Sequence, residues 1–268
     1  MDEPIIVVTG ARGNLGGKLA AALHSRYRLR CLDLRGGDDV IAADLGMYDE
    51  SWTRHLIGAD TVLHFAGEPL PTASWERVHR GNIVATGNIL RASRANAVRR
   101  VIFASTNQIM AGYRFTDLLV TTTMPPAPLN PYAVSKLFCE EAGRAFAAET
   151  GISFIALRIG NIHPGANIPH AGMGIGLWGQ QMWLSNRDFL EGVQAAIAVP
   201  DVPFAVVNLV LKMRHGSGKL SRAFGNSGSE VAFNAAAVGG NPTDGHGDKG
   251  QKCHTVRIDG PVKQHLRN

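Results

Sequence analysis

Tyr132 and Lys136 stand four residues apart in Tyr-Ala-Val-Ser-Lys, a spacing that puts a phenol and an amine on one face of a helix. A free tyrosine ionises at about pH 10 and is a poor base at neutral pH. A neighbouring ammonium, assisted by a positive ring bound alongside, favours the phenolate. Such a pair exchanges a hydroxyl proton while a hydride moves at the carbon. A third polar group is then expected at a strand end facing the pair. The run Val-Ile-Phe-Ala-Ser-Thr-Asn over 101–107 supplies it, since Ser105 or Thr106 can donate to a substrate oxygen and orient it.

A second constellation opens the chain. Ile5-Ile6-Val7-Val8, a short apolar run rich in β-branched residues, leads into Thr9-Gly10-Ala11-Arg12-Gly13-Asn14-Leu15-Gly16. Gly10 permits a tight turn after the strand, Gly13 lets the backbone approach a pyrophosphate, and Gly16 lets the next helix pack closely on the sheet. The amides that open that helix then face the phosphates, and Arg12, Asn14 and Leu15 of the turn count with the glycines as cofactor-binding residues. Asp33 closes the following strand. A carboxylate there accepts hydrogen bonds from both ribose hydroxyls and repels a 2′-phosphate, which favours NAD over NADP. Arg12 and Arg35 lie beside it and keep NADP open. Asp44-Leu45, after a third short strand, either caps the adenine edge or forms a plain turn.

These residues need a scaffold, and the hydrophobic pattern predicts one. Strands are expected at 5–8, 28–34, 61–65, 101–104, 153–157 and 204–211, with helices at 18–25, 82–96 and 132–150 and another from Asn186 to Pro200. Strands alternating with helices make an α/β fold, a doubly wound parallel sheet of Rossmann type. The expected organisation is a nucleotide-binding domain over 1–160 and a small C-terminal substrate lobe over 161–211. Residues 160–182 are irregular and read as a substrate-side loop.

Together these motifs resemble the extended short-chain dehydrogenases/reductases of the NAD-dependent epimerase/dehydratase kind, over about residues 4–211. The resemblance rests on the glycine turn, Asp33, His64-Phe65-Ala66-Gly67, Asn82, the Ser105-Thr106 strand end, Tyr132/Lys136 and Arg158-Ile159-Gly160-Asn161. It implies NAD as cofactor, Thr106 as the catalytic hydroxyl with Ser105 its neighbour, and Lys136 on the nicotinamide ribose as well as beside Tyr132. Phe65, Ala66, Gly67, Asn82 and Ile159 would also hold the cofactor, and Ser74, Asn107, Gln108, Arg158 and Asn161 the substrate. His64 reads as a core histidine. The resemblance also implies a homodimer packed through the helices at 82–96 and 132–150. Within the family, Phe103 to Asn107 and Trp183-Leu184-Ser185 are similar to segments of uronate dehydrogenases, which oxidise the anomeric carbon of a hexuronic acid. Those enzymes hold the sugar carboxylate with an Arg shortly before the Trp-Leu-Ser. Residues 172–182 contain no Arg or Lys. A carboxylate needs a cationic or multi-donor partner, and Trp178, Gln180 and Gln181 suit a neutral sugar-like ligand instead.

Charge and composition exclude other classes. Residues 1–211 carry equal numbers of acidic and basic side chains, so the formal net charge of +5 resides wholly in 212–268 and gives the folded part no electrostatic reason to bind nucleic acid or membranes. No apolar run is long enough to span a bilayer, and the acidic start does not read as a secretory leader. The 3 cysteines are far apart and suggest neither disulfides nor a metal site. A cytoplasmic protein is expected. Residues 212–268 are Gly-rich and poor in large apolar side chains, too poor to offset the entropy of ordering. They are expected to be a disordered extension or an aberrant, frameshifted end. The functions in view are an NAD-dependent sugar oxidoreductase, a nucleotide-sugar epimerase or dehydratase, and a non-catalytic NAD-binding or inactive truncated protein.

Overall fold

The computed structural model describes residues 3–118, 120–168, 178 and 182–210. The expected tail at 212–268, and Gln180 and Gln181 with most of the loop before Met182, lie outside the described residues.

Seven parallel strands form one sheet in the order β3-β2-β1-β4-β5-β6-β7. They are β1 (Ile5–Thr9), β2 (Arg28–Asp33), β3 (Val40–Ala42), β4 (Thr61–His64), β5 (Arg100–Thr106), β6 (Ser153–Ile159) and β7 (Phe204–Leu209). The helices are α1 (Asn14–Leu23), the single turns α2 (Glu50–Thr53) and α3 (Trp75–Val78), α4 (Ala85–Ala95), α5 (Pro131–Thr150) and α6 (Asn186–Ala198). Side chains alternate across each strand, and both faces are apolar. Ile6 and Val8 pack with Leu19, Leu23, Phe189 and Val193 of α1 and α6. Val7 packs on the opposite face with Ile89, Phe146 and Phe154. A sheet covered on both sides explains the continuous apolar runs.

The chain builds outward from β1 through β2 to β3, then returns to lay β4 against the other side of β1. A crevice opens at the carboxyl ends of strands flanking such a reversal, and the glycine turn, Asp33, the Ser105-Thr106 strand end and Tyr132/Lys136 line it. β7, from the expected substrate lobe, pairs with β6 and completes the sheet.

Several boundaries differ from expectation for local reasons. α1 starts at Asn14, four residues early, because Gly13 is already extended and caps it. The helix expected at 82–96 begins at Trp75 under the Ser74 hydroxyl, passes through a π-helical turn at His79–Val84, and becomes regular at Ala85. β5 runs on to Thr106 because β6 pairs with it residue for residue, as far as Thr106 opposite Ile159. α5 starts where sequence chemistry dictates. Asn130 accepts from the Ala133 amide, Pro131 fills the first turn, and Gly151 ends the helix at φ +73°, a left-handed position that glycine tolerates.

Candidate active site

The crevice is a cleft of about 930 Å³. Its floor begins at the turn between β1 and α1. Gly10 adopts φ +71°, and a Cβ there would lie 2.7 Å from the Ala66 nitrogen. At Gly16 a Cβ would meet the Gly10 carbonyl oxygen at 2.1 Å, so only glycine allows α1 to start this close. No side chain caps α1. The amides of Asn14, Leu15 and Gly16 therefore open toward the cleft with the positive end of the helix dipole. Asp33, at the end of β2, accepts from the backbone amides of Arg12 at 3.0 Å and Arg35 at 3.3 Å. These bonds aim its carboxylate at the mouth. The Arg12 side chain lies over Gly37 and is not on the cleft wall. Asp44 accepts from the Gly46 amide and pairs with Arg80, and Leu45 lies beside them.

The opposite wall is the backbone after β4. Thr9 Oγ1 accepts from the amides of Phe65 (3.2 Å) and Ala66 (3.1 Å) and hydrogen-bonds His64 Nδ1 at 2.9 Å. His64 Nε2 meets Thr86 at 3.1 Å. Burial, helped by Lys136, pushes this imidazole down to about 3. His64 is thus a neutral core staple that holds Phe65, Ala66 and Gly67 in place. Asn82 is buried behind this wall. Its Oδ1 accepts from the Glu68 amide at 2.8 Å and its Nδ2 donates to Ser135 Oγ at 2.9 Å, which ties the loop to α5.

Thr106, Tyr132 and Lys136 all line the cleft, and the Tyr132 phenol hydrogen-bonds the Thr106 hydroxyl. Lys136 is buried and its Nζ donates to the Ala104 carbonyl at 2.9 Å. Burial pushes this amine down to about 8. The Tyr132 phenol is pushed up, first by burial and then by the Glu68 carboxylate, while a hydrogen bond with Thr106 pulls it down. In the protein alone desolvation therefore dominates at the phenol, and Thr106 rather than Lys136 is the group that lowers it.

The other predicted residues divide. Asn107, Gln108, Ile159 and Asn161 line the cleft. Asn107 is buried, and its Nδ2 is one of the few buried polar atoms with no partner among the described residues. Ser105 also reaches the cleft wall, but its hydroxyl donates to Glu140 at 2.5 Å, away from Tyr132. Arg158 does not reach the cleft. It is buried and grips Glu140 through Nε and Nη2 at 2.7–3.2 Å. The carboxylate it satisfies belongs to α5 and not to a ligand. Ser74 is likewise occupied, capping α3. Sequence reasoning missed Glu68, Glu76, Arg77 and Arg80, all on the cleft wall. Arg77 pairs with Glu68 at 2.6 Å. Trp183 donates to Asn167 and Ser185 caps α6.

Comparison with known proteins agrees with this geometry. Residues 6–171 match the model of the NAD dependent epimerase/dehydratase family. The chain is 32% identical over 222 residues to an L-arabinose 1-dehydrogenase (NAD(P)(+)) of Haloferax volcanii, spanning 76% of this chain and 87% of that one. It is also 32% identical over 214 residues to an NAD-dependent glucose-6-phosphate dehydrogenase of the same organism, 70% of this chain and 78% of that one. The crystal structure of uronate dehydrogenase from Agrobacterium tumefaciens superposes with a TM-score of 0.66 at 25% identity, covering 78% of this chain and 77% of that one.

Proposed function

Because the chain belongs to the NAD-dependent epimerase/dehydratase family, we propose that it is an NAD-dependent dehydrogenase that oxidises a CH–OH group of a sugar or sugar acid. One observation carries this: the glycine turn, Asp33, Thr106, Tyr132 and Lys136 all open onto a single cleft.

The cradle fits a dinucleotide on its own geometry. Uncapped helix amides and a glycine turn with no room for side chains suit a diphosphate, and Asp33, held by two amides, suits vicinal ribose hydroxyls. Gly10, Gly13, Asn14, Leu15 and Gly16 would hold the phosphates. Asp33 with the Arg12 amide, and Asp44 with Leu45, would hold the adenosine end. Phe65, Ala66, Gly67 and Ile159 would flank the rest, with Asn82 buttressing from behind. Bound NAD supplies the hydride acceptor and, in its oxidised ring, the positive charge that draws the Tyr132 phenol toward ionisation. Tyr132 then takes the proton of the substrate hydroxyl as its C–H bond breaks. Thr106 donates to the same oxygen and fixes its position. Lys136 would stabilise the phenolate and would hold the nicotinamide ribose. Asn107, Gln108 and Asn161 line the space left for the substrate; residues 1–160 would form the cofactor domain and 161–211 the smaller substrate-side part.

A homodimer through α4 and α5 belongs to the same proposal. Phe138 and Val134 are exposed on α5, and size-exclusion chromatography with light scattering tests it. Among the described residues no helix is long and apolar enough to cross a membrane, in keeping with a cytoplasmic site of action.

The test is NADH absorbance with NAD and a panel of aldoses, uronates and sugar phosphates. Free NADH should accumulate with at least one sugar, which an epimerase using NAD transiently would not give. Tyr132→Phe should lower kcat by about 10²–10⁴-fold while NAD still raises the melting temperature. Stabilisation by NAD without turnover of any sugar refutes the dehydrogenase and favours a binding protein.

A further inference from the structure

Glu68 is a cleft carboxylate that neither the cofactor cradle nor the Thr106-Tyr132-Lys136 group uses. It is buried to 9% exposure on the cleft wall. Its placement is built from three directions. Its amide is held by Asn82 Oδ1 at 2.8 Å. Oε1 accepts from the Leu70 amide at 3.1 Å, and Oε2 pairs with Arg77 at 2.6 Å. The preceding Gly67 runs past Lys136, where a Cβ would come within 3.4 Å of Nζ. The carboxylate is therefore fixed on the cleft wall, near enough for its field to be felt by the Tyr132 phenol. Each carboxylate oxygen accepts more than one hydrogen bond, so both oxygens of Glu68 keep a lone pair for a ligand.

The cations of the described cleft wall are all engaged. Arg77 is paired with Glu68, Arg80 with Asp44 at the opposite end, and Lys136 donates to Ala104 beneath Tyr132. Asn107 Nδ2, buried and without a partner among the described residues, is a neutral donor. A uronate or sugar phosphate placed against Tyr132 would bring a second anion toward Glu68 with no uncommitted cation among the described residues to receive it. A neutral sugar would give its ring hydroxyls to Glu68 and accept from Asn107.

We infer that Glu68 is a specificity-determining residue that makes the substrate end of this cleft select an uncharged aldose over uronic acids and sugar phosphates. The inference rests on the dehydrogenase function proposed above.

The experiment measures kcat/KM for L-arabinose, D-xylose, D-galactose and D-glucose against D-glucuronate, D-galacturonate and glucose 6-phosphate, with wild type, Glu68→Gln and Arg77→Gln. NAD-induced thermal shift serves as the folding control. Wild type should prefer a neutral aldose by at least about 100-fold, because like charges placed together in an interface cost several kcal/mol. Glu68→Gln should narrow that preference at least about 10-fold, chiefly through KM for the neutral sugar. It should also move the acid limb of the pH–rate profile down, since the charge that holds the Tyr132 phenol up is gone. A purely structural role for Glu68 would leave the pH limb in place. Arg77→Gln should sharpen the preference for neutral sugars, because Glu68 loses its counter-ion. Preferred turnover of an anionic sugar that Arg77→Gln abolishes overturns this inference and leaves the dehydrogenase intact. An unchanged preference in Glu68→Gln overturns it as well. Absence of NADH with every sugar overturns the dehydrogenase function and this inference together.

Discussion

Gly16 and Gly17 are adjacent in the first turns of α1, yet replacing each with alanine should have opposite effects. At Gly16 the new Cβ would lie 2.1 Å from the Gly10 carbonyl oxygen, 2.7 Å from its carbon and 3.1 Å from the Ala11 Cα. All three atoms are backbone and cannot rotate away. Since non-bonded carbon contacts settle at about 3.5–4.0 Å, the start of α1 must retreat by roughly 1 Å. Overpacking of this kind costs about 1–3 kcal/mol, and for a domain of this size each kcal/mol lowers Tm by about 2–4 °C. The same retreat carries the Asn14, Leu15 and Gly16 amides away from the diphosphate. A hydrogen bond to a charged group contributes about 1.5–3 kcal/mol, so losing one weakens NAD by about 10–100-fold. At Gly17 the Cβ would meet only the Ala11 carbonyl oxygen, at 3.4 Å, an ordinary contact. Alanine there gains up to about 1 kcal/mol of helix propensity, which raises Tm by a few degrees and leaves NAD affinity within about twofold. Thermal denaturation and isothermal calorimetry with NAD read both quantities. A Gly16→Ala protein that is as stable as wild type and binds NAD equally well refutes the cradle geometry. So does a Gly17→Ala protein that loses NAD.

Asp33→Ala should weaken NAD by about 10–100-fold, one or two charge-assisted bonds, and narrow the gap to NADP, because the carboxylate that repels a 2′-phosphate is gone. Fluorescence titration with both nucleotides checks it, and an unchanged ratio contradicts the assigned role. Arg158→Met leaves Glu140 buried and unpaired and should cost about 3–5 kcal/mol, whereas Arg158→Met with Glu140→Leu should recover most of that loss. Urea denaturation of the variants decides, and a double variant no more stable than the single one contradicts a buried pair. His64 sits at about 3 in the fold against an ordinary value of about 6.5. The native state therefore binds fewer protons than the unfolded chain between these limits. The stabilisation is complete above about pH 6.5 and is lost as pH falls, at about 1.4 kcal/mol per unit for one proton. His64→Gln should remove this slope between pH 6.5 and 4. Parallel urea midpoints for the two proteins across that range would contradict the neutral staple.

Much of the scaffold was legible because its causes are local. The Ile5–Thr9 run, the glycine turn and the Asn130-Pro131 helix start each carry their own geometry, and together they place the cradle and Tyr132. What escaped depends on contacts between distant residues. Arg158 carries a polar group at a strand end, and nothing in its neighbourhood reveals that Glu140, 18 residues earlier on α5, will bury it. The same carboxylate claims Ser105. Strand alternation held the hint, since Ser105 and Thr106 must face opposite sides of β5 and Thr106 is the one that meets Tyr132. Glu68 carries no local signal in the sequence. It becomes a fixed cleft residue only because Asn82, 14 residues on in the π-helical turn, takes its amide. Spacing reveals the ammonium partner of Tyr132 but not the desolvation that raises the phenol in the protein alone.

The central claim is direct transfer of hydride from a sugar carbon to NAD in this cleft, and isotope tracing tests it with least intervention. The panel sugar that gives the fastest absorbance change is labelled with deuterium at the carbon to be oxidised, and the NADH released is analysed by mass spectrometry. One deuterium per NADH, released in step with oxidised sugar and abolished by Tyr132→Phe, is the predicted result. Unlabelled NADH, or recovery of the sugar with altered configuration and no free NADH, contradicts it.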